Sequence, residues 1–106
     1  MTDTNDRMTK LQTMHQRAPD DTFLIYAIAM EHKKLGQLSQ AIEWLGRVVE
    51  KDPTYCAAYH QAALTNEQSG DLEAAKKWYR DGIAAAGRKG DTHAMGEMQA
   101  ALSLIE

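Results

Sequence analysis

Two prolines, two glycines and two tryptophans stand one fixed step apart: Pro19 and Pro53, Gly36 and Gly70, Trp44 and Trp78, each pair separated by 34 residues. A step of that length is long enough for two short helices and their turns, and it is the signature of stacked helix pairs. One such pair cannot bury its apolar face alone, so neighbouring pairs must pack on each other. The period therefore predicts an all-α chain of stacked antiparallel helix pairs. With 106 residues the chain is one domain.

The punctuation between those markers sets the helices. Met8, Leu11, Met14 and Ala18 recur at spacings of three and four, one narrow apolar stripe on a helix over 6–17. Pro19 stops it, and Asp20 is placed to cap a second helix over 21–34, which Gly36 ends. A third helix over 38–50 carries Leu38, Ala41, Ile42, Leu45, Val48 and Val49 on one face, and Asp52-Pro53 breaks it. The cycle then repeats, with a fourth helix over 55–68 that stops at Gly70. Asp71 caps a fifth over 72–86, with Leu72, Ala75, Tyr79 and Ile83 as its stripe. Gly87-Arg88-Lys89-Gly90 reads as a connecting loop, and Asp91 as the cap of a sixth helix ending near Ile105, whose stripe is Met95, Met98, Leu102 and Ile105. No strand pattern or low-complexity segment is visible. The expected organisation is an N-terminal half repeat over 6–18, full repeats over 21–53 and 55–87, and a capping helix over 91–106.

Aligned one period apart, Ala29 matches Ala63, Gly36 matches Gly70, Leu38 matches Leu72, Ala41 matches Ala75, and Trp44 matches Trp78. The alanines allow close approach of the two helices in each pair, and the glycines supply the turn between them. This pattern resembles the tetratricopeptide repeat family, a resemblance that implies an α-solenoid of antiparallel helix pairs, about six helices in a right-handed superhelix. The family's small, bulky and turn positions are held by Ile25, Ile28, Ala29, Gly36, Ala41, Leu45, Val48 and Pro53 in the first unit. In the second they are held by Tyr59, Ala62, Ala63, Gly70, Ala75, Tyr79 and Gly82, with Gly87 where a proline would stand. The sixth helix fits the pattern only with two extra residues ahead of it.

At about 100° per residue, Ile25, Ile28, Ala29, His32 and Leu35 share one side of the second helix. Phe23, Tyr26, Ala27 and Met30 share nearly the opposite side, a second apolar stripe beyond what one hairpin needs. The resemblance implies that this side of each first helix lines a concave groove for an extended or helical peptide. The groove would comprise Phe23, Tyr26, Ala27 and Met30, then Ala57, His60, Gln61 and Leu64, then His93, Gly96, Glu97 and Ala100. Three occupants stay open: a protein or peptide partner, a second copy forming a homodimer through this seam, or the N-terminal helix folded back as cover. One subfamily grips C-terminal carboxylates with lysine, arginine and asparagine. The corresponding places here hold Tyr26, Met30, Gln61, His93 and Glu97, so that ligand is not expected.

Other chemistry finds little support. The net charge of −3 lacks the basic excess of a general nucleic-acid binder. No apolar run approaches the ~20 residues of a membrane span, and residues 1–17 carry no secretory signal. Cys56 is the only cysteine, which excludes an internal disulfide and suits a cytoplasmic setting. Cys56 and His60 lie one turn apart, as do His93 and Glu97, a set zinc accepts if it converges. Such pairs arise by chance on any helix, so no metal or cofactor is expected. No nucleophile, base and oxyanion constellation is present, so the chain reads as a non-enzyme. The 87–90 loop could perch an anion before a helix, though a solvated connection is the simpler reading. Trp44 and Trp78 read as packing between hairpins, His32 as a partly buried filler, and His15 as surface.

Overall fold

The computed structural model describes the backbone of residues 3–106 and the side chains of residues 6–106. Six helices follow one another: α1 (Asp3–Arg17), α2 (Thr22–Lys34), α3 (Leu38–Lys51), α4 (Cys56–Ser69), α5 (Leu72–Lys89) and α6 (Thr92–Ile105). No strand occurs among the described residues. Each helix packs on the next in the chain, with α2 against α3 and α4 against α5 forming the two hairpins.

Helix ends follow from a small set of capping devices. Gly36, Gly70 and Gly90 adopt φ of 78°, 88° and 78°, the left-handed region that suits glycine. Beyond each, the next residue's N–H returns to a carbonyl five positions back: Gln37 to His32, Asp71 to Asn66 and Asp91 to Ala86, all at 2.9 Å. This closure satisfies carbonyls that the last helical turn leaves free. At the N-termini, the Asp71 and Asp91 carboxylates accept from the N–H groups of Ala74 (3.1 Å) and Ala94 (2.9 Å).

Two readings of the punctuation and one of burial are corrected. The cap of α2 is Asp21, whose carboxylate accepts from Phe23 N–H at 3.0 Å and Leu24 N–H at 3.4 Å. Asp20 instead pairs with Lys51, which holds its carboxyl below the usual range. The stretch 87–90 is not a loop: Gly87, Arg88 and Lys89 continue α5, and Gly90 alone makes the turn. The two extra residues ahead of α6 are thus absorbed as added helix, and no anion-perching loop exists there. His15 is not a surface residue. It is half-buried, with its ring edge-on to Trp44 at 5.4 Å.

The interior forms two linked clusters. One gathers Ile25, Ala29, Leu45, Val48, Ala58 and Ala62; the other gathers Cys56, Tyr59, Ala63, Tyr79, Ala85, Ala86, Met98 and Leu102. Ala29, Ala41, Ala63 and Ala75 are all fully buried, as close helix approach demands. Trp78 and Val49 pack against both clusters. Trp44 packs between the rings of His15 on α1 and His32 on α2, with the Arg47 guanidinium 4.3 Å from its centroid. His32 is half-buried and bonded to Gln37 through Nδ1 at 2.7 Å. Two stripe residues sit at its margin rather than inside: Met14 and Leu72 are each 45% exposed.

Gly82 has a specific packing role. It stands one period after Val48, and a Cβ there would lie 2.5 Å from Met98 Sδ and 2.7 Å from Tyr59 Cβ. The missing side chain lets α6 seat Met98 against α4.

Candidate partner-binding groove

Helix α2 presents two apolar faces because its sequence is apolar nearly all round. Ile25, Ile28 and Ala29 are buried. On the opposite side Phe23 is 66% exposed, and Tyr26, Ala27 and Met30 are half-buried. These four residues come together as the floor of an open depression of about 520 Å³, with Arg7, Glu31 and Lys34 completing its rim. Tyr26 is steadied by Tyr55, whose ring centroid lies 5.2 Å away. Burial pushes both phenols above their ordinary pKa.

Helix α1 flanks this depression instead of filling it. Arg7 Nε donates to Glu31 Oε1 at 3.0 Å, tying α1 to α2. Glu31 is only 3% exposed, and its other carboxylate oxygen is buried with no hydrogen-bond partner among the described residues. Removing Arg7 would leave that carboxylate buried without its cation.

Toward α4 the surface is crossed by Lys33, whose Nζ donates to Gln61 Oε1 at 2.8 Å. Burial pulls the Lys33 ammonium below its usual pKa. Beyond this bridge lies a second depression, of about 290 Å³, which brings together Ala57, His60, Gln61, His93 and Glu97 with Cys56, Asp91, Ala94 and Met98. His60 stands edge-on to Tyr79 at 5.8 Å, and the Tyr79 hydroxyl donates to Glu67. His93 Nε2 is 3.5 Å from Glu97, both well exposed. Cys56 is buried, and burial raises its thiol pKa, so the thiolate is disfavoured. Among the described residues no group of three or more His, Cys, Asp or Glu side chains is arranged to hold a metal ion.

The expected groove is therefore two basins separated by a polar bridge. Leu64 is half-buried and lines neither basin, and Gly96 and Ala100 lie exposed on α6 outside both. Arg7, Glu31 and Lys34 line the first basin and Lys33 forms the bridge, although the sequence reading places none of them on this face, and Asp91, read there only as a helix cap, lines the second basin. Extending the Tyr26–Met30 stripe by one helical turn reaches Lys33 and Lys34. Nothing in the local sequence pairs Arg7 with Glu31.

Six helices packed in chain order, with a 34-residue step and a face along α2, α4 and α6, define a helical-repeat protein. The chain belongs to the tetratricopeptide repeat family, whose model matches residues 24–55 and 57–89. It is 29% identical over 96 residues to a TPR repeat-containing protein of Pseudomonas aeruginosa, covering 91% of each chain. It superposes on a tetratricopeptide repeat domain protein from Salinibacter ruber with a TM-score of 0.77 and 32% identity, over 83% of this chain and 89% of that one. PcrH, solved in complex with the chaperone-binding region of PopD, shares the fold at a TM-score of 0.86 and 18% identity, over 96% and 77% of the two chains. No helix among the described residues is long and apolar enough to cross a membrane.

Proposed function

We propose that the chain is a non-catalytic interaction module that holds a peptide or helix of a partner protein against α2, α4 and α6. One observation carries this reading: Phe23, 66% exposed, and half-buried Ala27 and Met30 lie outside both core clusters, and with Tyr26, which packs on one cluster while still lining the surface, they floor an open basin. A contiguous exposed apolar patch marks an interaction surface. The fold is one that PcrH uses in a complex with a segment of another protein. The cytoplasm is its proposed setting, since the lone cysteine gains nothing from an oxidising compartment.

The test is an affinity pull-down with the wild type beside a Tyr26→Ala/Met30→Glu variant, with circular dichroism to establish that the variant folds. The expected result is loss of the partner from the folded variant. Equal capture by both refutes the site. Light scattering over a concentration series separates a partner from a second copy, because a dimer that the same variant dissociates assigns the basin to self-association.

A further inference from the structure

The two basins carry opposite charge. The apolar basin is lined by two cations, Arg7 and Lys34, against one carboxylate, Glu31, and Lys33 stands on the bridge between the basins. This excess occurs in a chain whose net charge is −3. Arg7 and Lys33 are engaged with Glu31 and Gln61, whereas Lys34 makes no ion pair among the described residues. The second basin is lined by Asp91 and Glu97 and by no lysine or arginine. Lys89 acts on the Cys56 thiol from outside that lining. Asp91 spends one carboxylate oxygen on capping α6, and Glu97 faces only exposed His93.

We propose that the groove takes an extended partner segment in one charge order: an acidic side chain beside Lys34, a large apolar side chain against Tyr26 and Met30, and a basic side chain over Asp91 and Glu97. This rests on the groove reading above and adds the chemistry of the occupant. Complementary potentials of this kind fix register and reject wrong partners. The apolar floor supplies the anchor, since apolar burial contributes more than exposed ion pairs. The spacing follows from the fold. From α2 to α6 is two helix spacings, each on the order of 10 Å. An extended chain advances about 3.3 Å per residue, so the basic residue stands roughly six positions from the apolar anchor.

Fluorescence anisotropy of the full chain with labelled synthetic probes tests this. One probe carries Glu, Phe, five Ser and Lys in that order, and a second has the reversed sequence, since a strand can lie in either direction. A matching pair exchanges Glu and Lys. At low salt the better of the first pair should bind about fivefold or more tightly than either exchanged probe. The preference should shrink at ~1 M salt, where the Debye length falls to about 3 Å. The Lys34→Glu/Glu97→Lys variant should invert it.

If both pairs bind equally and Met30→Glu abolishes both, the charge order is overturned and the groove reading stands. If Tyr26→Ala/Met30→Glu leaves all binding unchanged, the groove reading itself fails. A panel in which no probe binds overturns the charge order and leaves the pull-down to decide the groove.

Discussion

Adding one methyl group at two helix-interior glycines should move stability in opposite directions. Gly46 lies inside α3, and a Cβ built there meets nothing within 4 Å. Gly46→Ala therefore gains only the helix-propensity difference, about 0.5–1 kcal/mol. Gly82 lies inside α5, and there the same gain is opposed by overlap with Met98 Sδ at 2.5 Å and Tyr59 Cβ at 2.7 Å. Met98 can rotate its flexible end away. Tyr59 Cβ is one bond from the α4 backbone, so relieving that contact displaces α4 from α5. Overpacking of this kind costs about 1–3 kcal/mol, which leaves Gly82→Ala roughly 0–2.5 kcal/mol less stable than the parent. Taken as the difference between the two variants, the packing term is about 1–3 kcal/mol, or on the order of 4–12 °C in Tm for a domain near 100 residues. Urea denaturation followed by circular dichroism reads it directly, with an unchanged slope showing that only stability moved. Equal stabilisation by the two substitutions would refute the close seating of α6 on α4 through Met98.

Two further predictions concern the ends of α2 and the tyrosines. Asp21→Ala should cost about 1 kcal/mol by removing the α2 cap, while Asp20→Ala, whose carboxylate is exposed on Lys51, should cost much less; equal losses in thermal melts would return the cap to Asp20. Burial, with Glu67 adding to it, pushes the Tyr79 phenol well above its ordinary pKa, and burial raises Tyr26, Tyr55 and Tyr59 as well. These phenols stay protonated in the folded chain where the unfolded chain begins to release protons, so their contribution is full below about pH 10 and falls as pH rises beyond it. Urea midpoints from pH 8 to 11 should therefore decline above pH 10, and Tyr79→Phe should flatten the decline; an unchanged slope in that variant refutes the assignment.

The fold was legible because helix boundaries here are written in residues with one local job. Gly36, Gly70 and Pro53 end helices wherever they stand, and the alanines at one period mark close contact. Legibility failed where two residues could do the same job or where the partner lay far along the chain. Asp20 and Asp21 are chemically identical, and only the backbone path decides which carboxylate faces the free N–H groups. Gly87 looked like a turn residue beside Gly90. In the structure it is an α5 residue whose Cβ position lies 3.2 Å from Met95 Cε, so it suits helix packing, and only Gly90 needs a positive φ.

The same limit divided the site. The stripe of Phe23, Tyr26 and Met30 follows from periodicity on one helix. The Arg7–Glu31 pair and the His15–Trp44 contact join α1 to residues 24 and 29 positions away, and no local pattern encodes them. The Lys33–Gln61 bridge divides a surface that a helical-wheel projection draws as continuous.

Trp78 and Val49 pack against both interior clusters, so the two cores are joined through them. In a linear stack, total stability is the sum of each unit's own stability and its coupling to the next. Here Trp78 and Val49 contribute to the coupling, because each packs on both clusters. Loosening one hairpin strips the other of its packing, and the stack then opens as one cooperative body. A segment seated across α2, α4 and α6 would therefore draw on the folding free energy of the whole stack, so its binding would register as protection of amides far from the surface it touches.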